Sequence, residues 1–221
     1  MNKKKISILQ VFLTVFFVGC LLISNIITAK QVSLPFGITM TGAVFIFPIT
    51  YILSDIFSEV YGYKWSRITC YMAFGMNLFM VGIFQLLIVT PAPDYWAHQE
   101  AFKTVLGSTP RVFIASLLAM LFGDFINDKV FKKFKDKHPN DHKHFGFRAI
   151  LSSLCGELAD SLIFMPIAFL GQMPVSTLIT MSLVQVSIKC GYELLILPLT
   201  RFIVHKISAY EMNYSLNKEE N

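Results

Sequence analysis

Apolar residues run through this chain in long stretches, with charge confined mostly to short intervals between them. A helix needs roughly 20 apolar residues to cross about 30 Å of hydrocarbon. On that measure the pattern predicts helices over about residues 6–28, 38–61, 65–90, 111–131, 147–170 and 175–207. The last stays apolar long enough to tilt, to kink near Pro198, or to protrude from the bilayer. Two connections are longer than the rest, a polar one over 91–110 and a basic one over 132–144, and neither has room for a folded domain. The expected architecture is an all-α membrane protein, six transmembrane helices in one bundle, forming a single transmembrane domain over 1–221.

Composition strengthens this picture. Apolar residues make up 54% of the chain and charged residues 15%, against about 25% charged in soluble domains. Met1 to Lys5 precede an apolar run that continues to Ile27, too long for the core of a cleavable signal, so it reads as the first span. The net charge of +5 does not indicate nucleic acid, because the basic residues sit in short loops beside apolar segments. Of the 19 lysines and arginines, only Lys30, Lys103, Arg111 and Lys189 fall away from the side that carries the N-terminus. That asymmetry predicts that both termini are cytoplasmic. Cys20, Cys70, Cys155 and Cys190 each lie in an apolar segment, form no CxxC pair, and read as small buried apolar residues.

The chemistry is expected where charge enters the apolar segments, because a central Asp or Lys costs about 2.5–3.5 kcal/mol on insertion scales. Glu157 and Asp160 in the fifth segment are three apart and share a helix face, with Ser161 adjoining it. Lys189 and Glu193 in the sixth are four apart, and Gln185 extends their stripe. The loop over 171–174 makes these helices antiparallel neighbours. Counted from it, Asp160 and Lys189 lie about 11 and 15 residues away, within roughly one turn of the same depth. A network between them lowers the burial cost of each, and an excess of acid over one lysine points past a purely structural pair. Asn25, beside Ser24, either meets a ligand or ties two helices, while Asn77 and Gln85 read as interhelical ties. Asp55, Glu59, Asp124 and Asp128 lie nearer the cytoplasmic boundary, where they form a gate with Lys64, Arg67 or Lys129 or simply reach water. The shared spacing of Asp55/Glu59 and Asp124/Asp128 is a weak internal repeat. His138, His142 and His144 lie in a lysine-rich loop without cysteines and read as solvated, so no metal site is expected. Phe45, Phe47 and Phe164 are candidates to stack on a planar ligand. No phosphate-binding GxxxxGK[ST] loop, HExxH or GxSxG occurs, so neither ATP use through such a loop nor a familiar hydrolase is indicated.

Several short motifs follow one another in a recognisable order: Ser24-Asn25; Gly42-Ala43, Phe47-Pro48 and Asp55; Tyr61-Gly62 and Arg67; Arg111; Gly156-x-x-x-Asp160-Ser161; Lys189-x-x-Tyr192-Glu193 and Leu197-Pro198. In order and spacing, over nearly the whole length, the chain resembles the queuosine-precursor transporter family, small bacterial membrane proteins of the vitamin-uptake-like group. The resemblance implies a multi-pass protein of the bacterial cytoplasmic membrane, with no cofactor and no enzyme activity. It implies import of 7-cyano-7-deazaguanine, 7-aminomethyl-7-deazaguanine or queuine for the queuosine modification of tRNA. The implied partners are a small planar deazapurine and membrane lipid, not nucleic acid, and a homodimer stays open. On that reading Asp160 or Glu157 holds the guanine-like edge, Lys189 poises the empty carboxylates, and Glu193 takes part in gating or proton movement. Two other classes stay open. A substrate-capture subunit of an energy-coupling-factor transporter has similar length, though bulky Val11, Phe12, Val15 and Phe16 disfavour docking on the first helix. An intramembrane enzyme using Glu157 and Asp160 lacks a recognisable nucleophile or metal site.

Overall fold

The computed structural model describes residues 6–137 and 145–217. His138, His142 and His144 lie outside the described residues, as do the side chains of Phe47, Asp128 and Glu193. The chain is helical through α1 (Ile8–Ile27), α2 (Phe47–Ile56), α3 (Tyr63–Val89), α4 (Gln99–Leu106), α5 (Thr109–Lys137), α6 (Phe145–Phe169) and α7 (Val175–Asn217). Between α1 and α2 a two-stranded antiparallel hairpin pairs β1 (Gln31–Leu34) with β2 (Ile38–Thr41). Among the described residues three helical stretches are long and apolar enough to cross a membrane: Ile8–Ile27, Tyr63–Val89 and Gln99–Phe134. The last joins α4 to α5, so part of the expected 91–110 connection is helical.

Each long helix sorts its apolar residues into an inward and an outward set. On α1, Leu13, Phe17, Cys20 and Ser24 are buried at helical spacing, while Val11, Phe12, Val15 and Phe16 are exposed. On α3, Thr69, Ala73, Asn77 and Val81 form the buried stripe, and Met72, Met76, Leu78, Phe79 and Leu86 face outward. An outer surface this apolar suits acyl chains rather than water. Ser7 caps α1 by accepting from the Gln10 amide at 2.9 Å.

The expected helix over 38–61 is the principal correction. Residues 38–41 are strand, Gly42–Phe45 is a 3-10 turn, α2 begins only at Phe47, and Phe57–Tyr61 closes with a π turn. The broken backbone is covered by protein: Met40, Thr41, Ala43 and Val44 are all buried. That is the condition for irregular backbone at membrane depth. The Gly42 amide donates to the Lys30 carbonyl at 2.7 Å, and a Cβ on Gly42 would stand 2.6 Å from the Ile27 carbonyl oxygen. Only glycine lets the returning strand pass so close under the end of α1.

Two apolar cores hold the bundle. One gathers Val112, Ala115 and Ala119 of α5 with Phe164, Met165, Ala168 and Phe169 of α6 and Leu178 and Met181 of α7. The other joins Leu13, Phe17 and Cys20 of α1 to Leu53, Ile56, Phe57 and Ala73, with Ile203, Val204 and Ile207 of α7 packed against it. The α5–α6 crossing is close because it is made of small residues. A Cβ on Gly156 would sit 3.0 Å from both the Gly123 carbonyl oxygen and the Asn127 Cβ. Arg111 secures the far end of α6, donating from Nε to the Ile167 carbonyl at 2.5 Å and from a terminal nitrogen to Leu170 at 2.6 Å. The short turn after α6, with Gly171 at φ 84, sets α7 beside it.

At 43 residues, α7 outruns the expected 175–207 and contains Pro198 without interruption. Its length of roughly 65 Å at 1.5 Å per residue is about twice the hydrocarbon thickness. Near its end Glu211 Oε1 accepts from Ser7 Oγ at 2.5 Å and from the Tyr61 hydroxyl at 2.8 Å. One carboxylate thus ties α7 to the start of α1 and to the π turn.

Candidate functional site

A cavity of about 550 Å³ runs down the middle of the bundle, walled by α1, α2, α3, α5, α6 and α7. Its charged wall comes from α6 and α7. Lys189, 7% exposed, has its Nζ 2.8 Å from Glu157 Oε2 and hydrogen-bonds Asp160 Oδ2. No hydrogen bond is aligned on Glu157 Oε2, so that contact is an ion pair. Lys189 also hydrogen-bonds the Tyr51 side chain of α2. The local reason is helical spacing: 157 and 160 fall on one face of α6, and 185 and 189 on one face of α7. Gly156, by drawing α5 against α6, also brings Asp124 to the same cavity. One lysine held by two carboxylates in a poorly solvated interior is expensive to disrupt, because removing one partner strands the rest.

The rest of the cavity wall also carries neutral polar groups. Asn25 of α1 donates from Nδ2 to Asn77 Oδ1 of α3 at 2.7 Å, and both amides line the cavity with Gln185. Phe17, Phe57, Phe74 and Phe164 supply flat apolar surface. Phe45, expected as a stacking candidate, is instead 66% exposed on the outside of the 3-10 turn.

Toward the end of the bundle nearest Ser7, the cavity is lined by a second ion pair. Arg67 of α3 reaches Asp124 Oδ2 of α5 at 2.5 Å and donates from Nε to the Tyr63 hydroxyl at 2.8 Å. These side chains are 28% and 43% exposed. Of the carboxylates expected near that end, Asp124 is joined to Arg67. Glu59 is exposed. Asp55 lines a small second cavity of about 60 Å³ together with Tyr51, Glu157, Lys189, Tyr192 and Thr200. Tyr51, Glu157 and Lys189 border both spaces, so the charged cluster is the partition between them. Among the described residues no group of His, Cys, Asp and Glu has the arrangement of a metal site.

The structure therefore brings Asn25, Glu157, Asp160 and Lys189 to one cavity and adds Asp124 at its edge. Tyr51 is a wall residue that sequence reasoning passed over and Asn77 one that it read as a helix tie, while Gln185, read as an extension of the Lys189 stripe, lines the same cavity. For Tyr51 the available signal was its place one turn before Asp55. For Asn77 it was an amide in an apolar helix.

A family model described as putative vitamin uptake transporter matches residues 41–203. A relative from Bacillus subtilis (strain 168), described as a probable queuosine precursor transporter, is 27% identical over 175 residues, covering 79% of this chain and 76% of that protein. No solved structure matches the chain. The family match begins where the hairpin ends and takes in the α5–α6 crossing and the whole charged cluster, and with the apolar helices it identifies the chain as a membrane transport protein belonging to the vitamin uptake transporter family.

Proposed function

We propose that this protein imports a queuosine precursor, a 7-deazaguanine base, across the bacterial cytoplasmic membrane. The spanning units are α1, the hairpin with α2, α3, α5, α6 and α7, in one bundle with both termini cytoplasmic. The single observation that carries the reading is the buried Lys189, bound by Asp160 and Glu157 at the wall of a cavity of about 550 Å³. That volume falls within the range of small-ligand sites, about 300–1,000 Å³. A guanine-like edge presents two adjacent N–H donors, which a carboxylate accepts bidentately and more strongly where water is scarce. Lys189 poises the two carboxylates while the cavity is empty and yields one of them to the base. The phenylalanines stack on the ring faces. Glu193, one turn further along α7, takes part in gating or proton movement. The Arg67–Asp124 pair forms the cytoplasmic gate, with Asp55 and Glu59 near it.

The expected result of Asp160→Asn is at least a tenfold loss of labelled precursor uptake with membrane abundance intact, and unchanged uptake would remove Asp160 from the site. Restoration of tRNA queuosine in an auxotroph without its own importer, tested with each precursor, identifies which one is carried. Uptake into proteoliposomes containing this chain alone separates a self-sufficient importer from a subunit needing energy-coupling partners. The outward face of α1, with Phe12 and Phe16 stacked 6.2 Å apart, favours lipid there.

A further inference from the structure

The small cavity of about 60 Å³ beside the charged cluster cannot take cargo, since small-ligand sites run to about 300 Å³ or more. It has room for about two water molecules at about 30 Å³ each, and its wall is polar enough to hold them. Lys189, Tyr192, Ile196 and Thr200 fall on one face of α7 and line it with Tyr51 and Asp55 of α2 and Glu157 of α6. Thr200 is 5% exposed, and its hydroxyl takes part in no hydrogen bond among the described residues. Buried hydroxyls are nearly always satisfied, so this one points to water in the chamber. Asp55, by contrast, is exposed, as is Glu59 one turn further on. The chamber therefore links Glu157 and Lys189 to an outer carboxylate. It does so apart from Arg67 and Asp124, which line the large cavity and not this one.

We propose that this chamber is a proton exit, in which water carries a proton from Glu157 to Asp55 and on to the cytoplasm, so that import of the base is coupled to the proton gradient. The inference rests on the import reading and the orientation given above. A proton that enters with the cargo protonates the Glu157 carboxylate, and Lys189 keeps its bond to Asp160. Once the base has left, Glu157 gives that proton to chamber water, the water passes one on to the Asp55 carboxylate, and Asp55 releases it to cytoplasmic water. Glu157, ionised again, returns to Lys189, and each carboxylate ends as it began. Carboxylates within a span commonly serve such relays. The charged and titratable groups around Asp55 are Tyr51 and Glu59 along its own segment, Glu157 of α6, and Lys189 and Tyr192 of α7. Glu193 adjoins them in sequence, and α1, which also packs on α2, carries no acid, lysine, arginine or histidine. The Lys189 ammonium at the wall repels a metal ion, whereas a proton needs only a file of hydrogen-bonded groups.

The test uses the full chain in proteoliposomes and labelled 7-cyano-7-deazaguanine. Two rates are measured: accumulation driven by an inside-alkaline pH gradient, and exchange of external label for internal unlabelled compound without any gradient. The wild type is expected to do both, and to acidify the lumen as label enters, read by a trapped pH-sensitive dye. Asp55→Asn is expected to lower gradient-driven accumulation by about tenfold or more, because the proton has lost its acceptor, while exchange continues near the wild-type rate. Thr200→Val, which removes a partner of the chamber water, is expected to slow accumulation several-fold and leave exchange alone. A general loss of folding would lower both rates together. A wild type that exchanges label but accumulates none on the pH gradient, or accumulates it only on a sodium gradient, overturns the inference and leaves the deazaguanine reading standing. That comparison needs no variant to fold. An Asp55→Asn protein that accumulates like the wild type, or that loses exchange as well, also overturns it. A wild type that neither exchanges nor accumulates the compound overturns the reading of this chain as its importer, and this inference with it.

Discussion

The two ion pairs of the cavity use the same chemistry in opposite settings. Lys189 of α7 is 7% exposed and shared between two carboxylates of α6 and a tyrosine of α2. Arg67 and Asp124 are 28% and 43% exposed, and join α3 to α5 alone. A buried pair is costly to break, by about 3–5 kcal/mol, whereas exposed pairs contribute about 0–1 kcal/mol. The first arrangement therefore suits a fixed point that must hold its geometry, and the second a contact that opens and closes in each cycle. A transporter needs both, and burial separates them more clearly than residue type does.

Breaking the buried member gives the largest effect. Lys189→Met strands Glu157 and Asp160, and a loss of about 3–5 kcal/mol is expected in unfolding of the detergent-solubilised protein. Adding Glu157→Gln and Asp160→Asn should recover most of that stability, since no charge remains uncompensated, while uptake stays lost. A triple variant that transports normally would make the cluster a mere structural tie.

How much of this contrast was legible in the sequence depends on what each part required. Glu157, Asp160 and Lys189 stood out because charge inside a spanning segment is costly, and because their spacing and the short 171–174 loop fixed a common depth. Arg67 and Asp124 were both visible, but four carboxylates of similar depth competed for the arginine, and spacing along separate helices does not choose among them. The pairing of Asn25 with Asn77 was hidden for the same reason. The hairpin was missed because hydropathy does not distinguish a strand from a helix in an apolar run. Ile38-Thr39-Met40-Thr41 is rich in β-branched residues and Gly42 follows it, which were the signs that the helix begins later.

The α5–α6 crossing gives the next effect. Gly156→Val puts branched carbon where even a Cβ lies 3.0 Å from the Gly123 carbonyl oxygen and Asn127. Overpacking of this kind costs about 1–3 kcal/mol. It should also part Asp124 from the charged wall, so uptake is expected to fall more than stability does. Unfolding and uptake measured on the same preparation check this. Equal, small losses in both would separate the crossing from the site.

The exposed pair gives the smallest change in stability and the sharpest kinetic one. Arg67→Ala is expected to shift stability by less than about 1 kcal/mol. It should alter the maximal uptake rate several-fold with little change in half-saturating concentration. Exchanging the two charges, with Arg67→Asp and Asp124→Arg in one chain, should recover much of the rate. A rise in half-saturating concentration with the rate preserved would instead make Arg67 a ligand-binding group and erase the distinction.

The long final helix has a mechanical consequence. Lys189 and Glu211 belong to one continuous rod, about 33 Å apart at 1.5 Å per residue, the first beside the cavity and the second hydrogen-bonded to Ser7 and Tyr61. On the proposed function, movement of this helix beside the cavity carries along it to Glu211, where a probe on the rod's tip reports what happens around the cargo.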